Sequence, residues 1–208
     1  MIMKKAGMIV YALLAVPAML HAQDSIQARI VLIGDAGQLT NGRHPVVAAV
    51  KNHIPLNEKT TIVFLGDNLY KTGFPDNSLP TFAIAKAPLD SQVQIAGTNK
   101  AKVYFVPGNH DWANGGSLGY ESILREQAYI DFLGNKNATM FPRDGCPGPV
   151  EVKITDDIVL VMMDSQWWIH QYDKPGIESD CPYKTKAEVL VQLEDILSKN
   201  SQKLVLLA

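Results

Sequence analysis

Cysteine is nearly absent from this chain of 208 residues: only Cys146 and Cys181 occur. Neither has the cysteine or histidine neighbours of a zinc knuckle, so a cysteine-rich metal module is excluded. Surplus charge is also lacking. A formal net charge of -2 provides no basic surface for nucleic acid or for an anionic bilayer. There is no internal repeat and no low-complexity stretch, which excludes an array or a linker. What remains is a globular composition, with 47% hydrophobic and 19% charged residues, in a length that suits one domain.

The first residues read as a secretory signal. Lys4 and Lys5 precede an apolar run over residues 6–20, and Ala22 offers a small residue for cleavage before Gln23. The run is short for a membrane span, which needs about 20 apolar residues. The expected organisation is therefore a signal peptide over 1–22 and one domain over 23–208. The expected localisation is exported: periplasmic, outer-membrane-associated or secreted. In an oxidising compartment Cys146 and Cys181, both beside prolines in loop-like surroundings, are able to pair. Two free thiols are the alternative.

Three β-branched runs end alike. Arg29-Ile30-Val31-Leu32-Ile33 stops at Gly34-Asp35-Ala36-Gly37. Thr61-Ile62-Val63-Phe64-Leu65 stops at Gly66-Asp67, and Val103-Tyr104-Phe105-Val106 at Pro107-Gly108-Asn109-His110-Asp111. Nearly continuous apolar runs of this length predict strands buried on both faces. The polar residues that follow then lie in the crevice at the carboxyl ends of an α/β sheet. Helices are expected over 44–53, within 78–97 with a kink near Pro88, over 118–133 and over 184–198. Further strands are expected over 150–154, 158–163 and 203–207. The last run ends the sequence at Ala208 without a turn, which predicts that the chain is the N-terminal part of a longer domain.

The strand ends bring forward Asp35, Asp67, Tyr70, Asn109 and His110. Hard oxygen donors with one phenol and one imidazole suit iron, manganese or a mixed iron–zinc pair better than thiolate chemistry would. A carboxylate between two strands is able to bridge two cations, which would clamp the attacking and leaving oxygens of a phosphate ester.

The blocks Gly34-Asp35-Ala36-Gly37, Gly66-Asp67-Asn68-Leu69-Tyr70 and Gly108-Asn109-His110-Asp111 resemble the first three motifs of the purple acid phosphatases, a branch of the calcineurin-like metallophosphoesterases. The resemblance implies a four-layer α/β/β/α sandwich, and hydrolysis of a small phosphate ester by a metal-activated water at a two-metal site. It implies Asp35 and Tyr70 as ligands of the first metal, Asp67 as the bridge and Asn109 on the second. The pair would be iron with iron, zinc or manganese. His110 would assist the leaving group, and Asp111 would orient His110 from behind.

Most calcineurin-like enzymes carry histidine where this sequence has Gly37, and Tyr70 fills that gap in the purple branch. Two later histidine blocks of the family are missing, so the chain alone is expected to be inactive or nearly so. A rival reading is a non-catalytic exported module, the N-terminal part of an outer-membrane protein with a C-terminal membrane domain. Another is a serine hydrolase using Ser165 and His170, although no nucleophile-elbow glycine pattern surrounds the serine. His170 is otherwise read as a rim or structural residue, Asp164 as a loop anchor, and His44 and His53 as solvated.

Overall fold

The computed structural model describes residues 26–97, 100–133 and 135–208; the expected signal peptide lies outside them. Strands β1 (Arg29–Ile33), β2 (Thr60–Leu65), β3 (Lys102–Val106) and β4 (Ala138–Met140) form one parallel sheet in that order. Helices α1 (Pro45–His53), α2 (Phe82–Val93) and α3 (Gly119–Phe132) connect them. The second sheet is β5 (Val150–Lys153), β6 (Ile158–Met162) and β7 (Leu204–Leu207), with β5 antiparallel and β7 parallel to β6. Between β6 and β7 lie a short α4 (Ser165–Ile169) and α5 (Lys186–Lys199).

The alternation of side chains along a strand sorts these residues into layers. Ile62, Phe64, Val103 and Phe105 join one core with Val47, Leu89, Ile123 and Ile130 of the three crossover helices. Val63 and Val106, their neighbours, face the other way and meet Leu160 and Met162 of β6. On the far side of β6, Val159 and Val161 pack against Ile196 of α5. Helices, sheet, sheet and helix therefore stack as the expected four-layer α/β/β/α sandwich. Burying a residue such as Phe64 or Leu160 fully is worth about 1.5–3 kcal/mol.

Expected strands and helices appear within a few residues of their predicted bounds. The burial of the edge strands differs from expectation. Leu32 of β1 is 53% exposed and Leu207 of β7 is 60% exposed, because each strand ends its sheet. Strand β4 and helix α4 have no periodic signal long enough to read. Asp164 caps α4, its carboxylate accepting the Trp167 N–H at 3.0 Å. Helix α5 starts in a capping box: Thr185 accepts from the Glu188 N–H while the Glu188 carboxylate accepts from the Thr185 N–H. Cys146 and Cys181 are bonded, with Cα atoms 5.6 Å apart, tying the segment before β5 to the loop before α5.

Candidate metal centre

The parallel register sets the site. Ile33 lies beside Phe64, and Phe64 beside Phe105, so the three strands deliver their next residues to one edge. There the Asp35 N–H donates to the Gly66 carbonyl at 3.2 Å. Asp35 and Asp67 both sit at φ 53° and Gly66 at φ 96°, a left-handed backbone that non-glycine residues adopt rarely and that clusters at functional sites. Gly66 and Gly108 touch: a Cβ on Gly66 would lie 2.8 Å from the Gly108 Cα. Only bare backbone lets these loops approach so closely.

Three oxygens converge. The Tyr70 hydroxyl donates to Asp35 Oδ1 at 2.8 Å and lies 3.4 Å from Asp67 Oδ2. The other Asp67 oxygen accepts the His110 backbone N–H at 3.1 Å, bridging β2 and β3. Asp35, Asp67 and Asn109 line one crevice of about 840 Å³ between the sheets, with Leu65, Trp168 and Leu206. The Asn109 amide N–H donates to Asn114 at 3.2 Å, which leaves its carbonyl oxygen for another partner. Tyr70 and His110 stand ring edge to ring at 4.6 Å and face an adjoining cavity of about 750 Å³ with Gln38, Lys71 and Ile84.

This donor set fits a cation. Two carboxylates and a phenol share a few ångströms, and among the described residues no lysine or arginine forms an ion pair with Asp35 or Asp67. Burial, the bond to Asp35 and the charge of Asp67 push the Tyr70 phenol above its ordinary pKa, as expected where negative charge gathers without a counter-ion. Among the described residues, no group of three or more histidine, cysteine, aspartate or glutamate side chains is placed to hold a metal. Here two of the four expected donors are a phenol and an amide.

The structure also explains position 37. A Cβ on Gly37 would fall 2.6 Å from the backbone carbon of Leu69, so a histidine there would displace the loop that carries Tyr70.

Two expectations are corrected. Asp111 does not orient His110. Its carboxylate is fully buried and accepts from the backbone N–H groups of Gly108 (2.7 Å), Leu69 (3.0 Å) and Asn68 (3.2 Å), a demand set by buried loop amides that lack strand partners. The carbonyl of Lys71, 2.6 Å from His110 Nδ1, holds the imidazole instead. His44 is not solvated. It is 5% exposed and joins the cap of α1 to the first motif, with Nδ1 accepting from Val47 and Nε2 at 2.7 Å from the Ala36 carbonyl.

Asp164 anchors its loop, also receiving the Trp112 indole N–H at 2.7 Å. His170 is buried against Trp112, with no hydrogen-bond partner at either ring nitrogen. It therefore activates no serine, and the Ser165–His170 reading falls.

Residues not singled out by motif complete the support. Gln92 of α2 donates to the carbonyls of both Ala36 and Asn68 at 3.0 Å. Ser122 of α3 donates to the Asp111 carbonyl at 2.7 Å and accepts the Phe74 N–H at 2.7 Å. Their only sequence signal is a polar side chain on the apolar face of a helix.

A search of curated proteins and of solved structures returned no match. Residues 28–196 match the family model of the calcineurin-like phosphoesterases, from the start of β1 into α5 and across all three strand-end loops. The chain belongs to the calcineurin-like phosphoesterase family.

Proposed function

We propose that this protein hydrolyses phosphate esters at a two-metal centre of the purple acid phosphatase kind. The observation that carries the reading is the Tyr70 hydroxyl, 2.8 Å from Asp35 and 3.4 Å from Asp67, beside a glycine that has no room for histidine. Asp35 and Tyr70 would hold one ion, Asp67 would lie between the two, and the free carbonyl of Asn109 would meet the second. Iron paired with iron, zinc or manganese suits these donors. Bound there, the pair supplies Lewis acidity and lowers the pKa of water. Four protein donors would leave either ion short of a full shell, so weak metal binding and low turnover by this chain are the expected outcome.

His110 moves the proton. A carbonyl accepts only, so His110 Nδ1 carries its hydrogen toward the Lys71 carbonyl. In the imidazolium form Nε2 carries the second proton, gives it to the leaving oxygen, and leaves the ring neutral with Nδ1 still protonated. The adjoining cavity would receive the leaving group.

Among the described residues no helix is long and apolar enough to cross a membrane. The Cys146–Cys181 bond and the apolar N-terminus support export to an oxidising compartment.

The test is ferric iron loading of this chain and of Tyr70→Phe, followed by visible absorption and phosphate-ester hydrolysis. A phenolate-to-iron band in the parent protein and not in the variant supports the reading. A colourless iron-loaded parent overturns it.

A further inference from the structure

Two oxygens in the middle of this assembly are buried without a hydrogen-bond partner, Asn68 Oδ1 and Glu126 Oε2. They belong to side chains that already touch, since the Asn68 amide N–H lies 3.3 Å from Glu126 Oε1. Glu126 projects from α3 and is 0% exposed. Among the described residues no lysine or arginine pairs with it. Were it ionised, Glu126 Oε2 and Asn68 Oδ1 would both be buried acceptors with nothing to accept, which burial penalises.

One proton resolves both. A carboxylic acid and a primary amide are complementary: the amide N–H donates to one acid oxygen while the acid O–H donates to the amide oxygen. A second carboxyl, Asp111, lies beyond the same amide at 3.4 Å. It takes three backbone N–H bonds, whereas Glu126 takes one amide contact, so Glu126 is the carboxyl of the two that lacks donors and has an acceptor waiting for its own hydrogen. Burial, then repulsion from Asp111, raises Glu126 well above the ordinary carboxylate range.

We propose that Glu126 is carried in the fold as a neutral acid that donates to the Asn68 side-chain oxygen, and that it thereby acts as a positioning residue for the loop bearing Asp67 and Tyr70. Asn68 follows Asp67 directly, and its amide also donates to the carbonyl of Val106 at 3.1 Å, the last residue of β3. Glu126 thus fixes the rotation of the side chain that clips the second motif to the third strand. The positioning role rests on the metal-centre reading above; the buried proton does not.

The proton is tested by the infrared difference spectrum of the parent protein against Glu126→Gln at neutral pH. A protonated-acid carbonyl band that vanishes in the variant is expected, and no such band overturns the proposal. The positioning role is tested by titrating zinc into the parent, Glu126→Gln and Glu126→Leu, with circular dichroism as the check on folding. Glutamine keeps a donor and an acceptor, so its zinc affinity should stay within about twofold. Leucine keeps neither, so its affinity should fall about tenfold or more.

Equal loss in both variants, or none in leucine, overturns the role. If leucine does not fold, glutamine decides it: parent-like affinity is the expected result and a tenfold loss is fatal. If the parent binds no zinc, the metal-centre reading and the role fall together, while the infrared band still decides the proton.

Discussion

The Asp111 carboxylate accepts the backbone N–H of Leu69 at 3.0 Å, so the last residue of the third motif is a brace for the second. It takes further N–H bonds from Gly108 and Asn68, and one buried side chain thus sets the spacing between the loop holding Asp67 and Tyr70 and the loop holding Asn109 and His110. Asp111→Asn turns one acceptor into a donor that faces a backbone N–H. The expected outcome is a loss of stability on the order of 1–3 kcal/mol in urea unfolding. The His110 ring should keep its bond to Lys71, seen as an unchanged tautomer in nitrogen NMR. A changed tautomer would restore Asp111 to the orienting role.

Gly37→Ala places a methyl group about where the Leu69 backbone already lies. Overpacking against backbone costs about 1–3 kcal/mol, readable as a lower urea midpoint with an unchanged slope. Gly37→His should be at least as destabilising and should not raise metal affinity. A stable histidine variant with tighter zinc binding would refute the steric account.

Asp164 predicts a pH dependence. Burial pushes its carboxyl up to about 7, against the opposing bonds from Trp167 and Trp112, while the same group in an unfolded chain titrates near 3.8. Between these values the folded protein holds a proton that the unfolded chain has released. Stability from this group is therefore full at low pH, falls as pH rises from about 4 to about 7, and then levels off. The slope is on the order of 1 kcal/mol per pH unit. Asp164→Asn removes the contribution. Urea midpoints at about pH 5 and about pH 8 should converge in the variant relative to the parent, and equal pH shifts in both would contradict the assignment.

The Cys146–Cys181 bond spans a sequence separation of 35. Closing a loop of that length in the unfolded chain is worth about 4 kcal/mol in the chain-entropy model. Reduction, or Cys146→Ser with Cys181→Ser, should lower thermal stability while leaving the Tyr70–Asp35 contact intact, because the bond ties segments of the second sheet and its loops. Loss of metal binding on mild reduction would show that the two regions are coupled.

The fold was largely legible because its signals are local. Near-continuous apolar runs named β2 and β3, and helical spacing named α1, α3 and α5. Support around the site was not legible, because Gln92 and Glu126 are ordinary helix residues, and His44 an ordinary cap, until three chain segments close around them. Asp111 was misread for a related reason. Its neighbour in sequence is His110, while its bonding partners include amides some 40 positions away.

Sequence alone therefore settled which residues end the strands and what donor atoms they carry, since strand formation and the glycine turns after it follow from neighbours along the chain. Tertiary structure alone decided that Tyr70 reaches Asp35, that the two cysteines meet, and that Asp111 braces rather than orients. Those outcomes depend on strand register and on which buried polar group is left wanting a partner, and neither is encoded in any short stretch of residues.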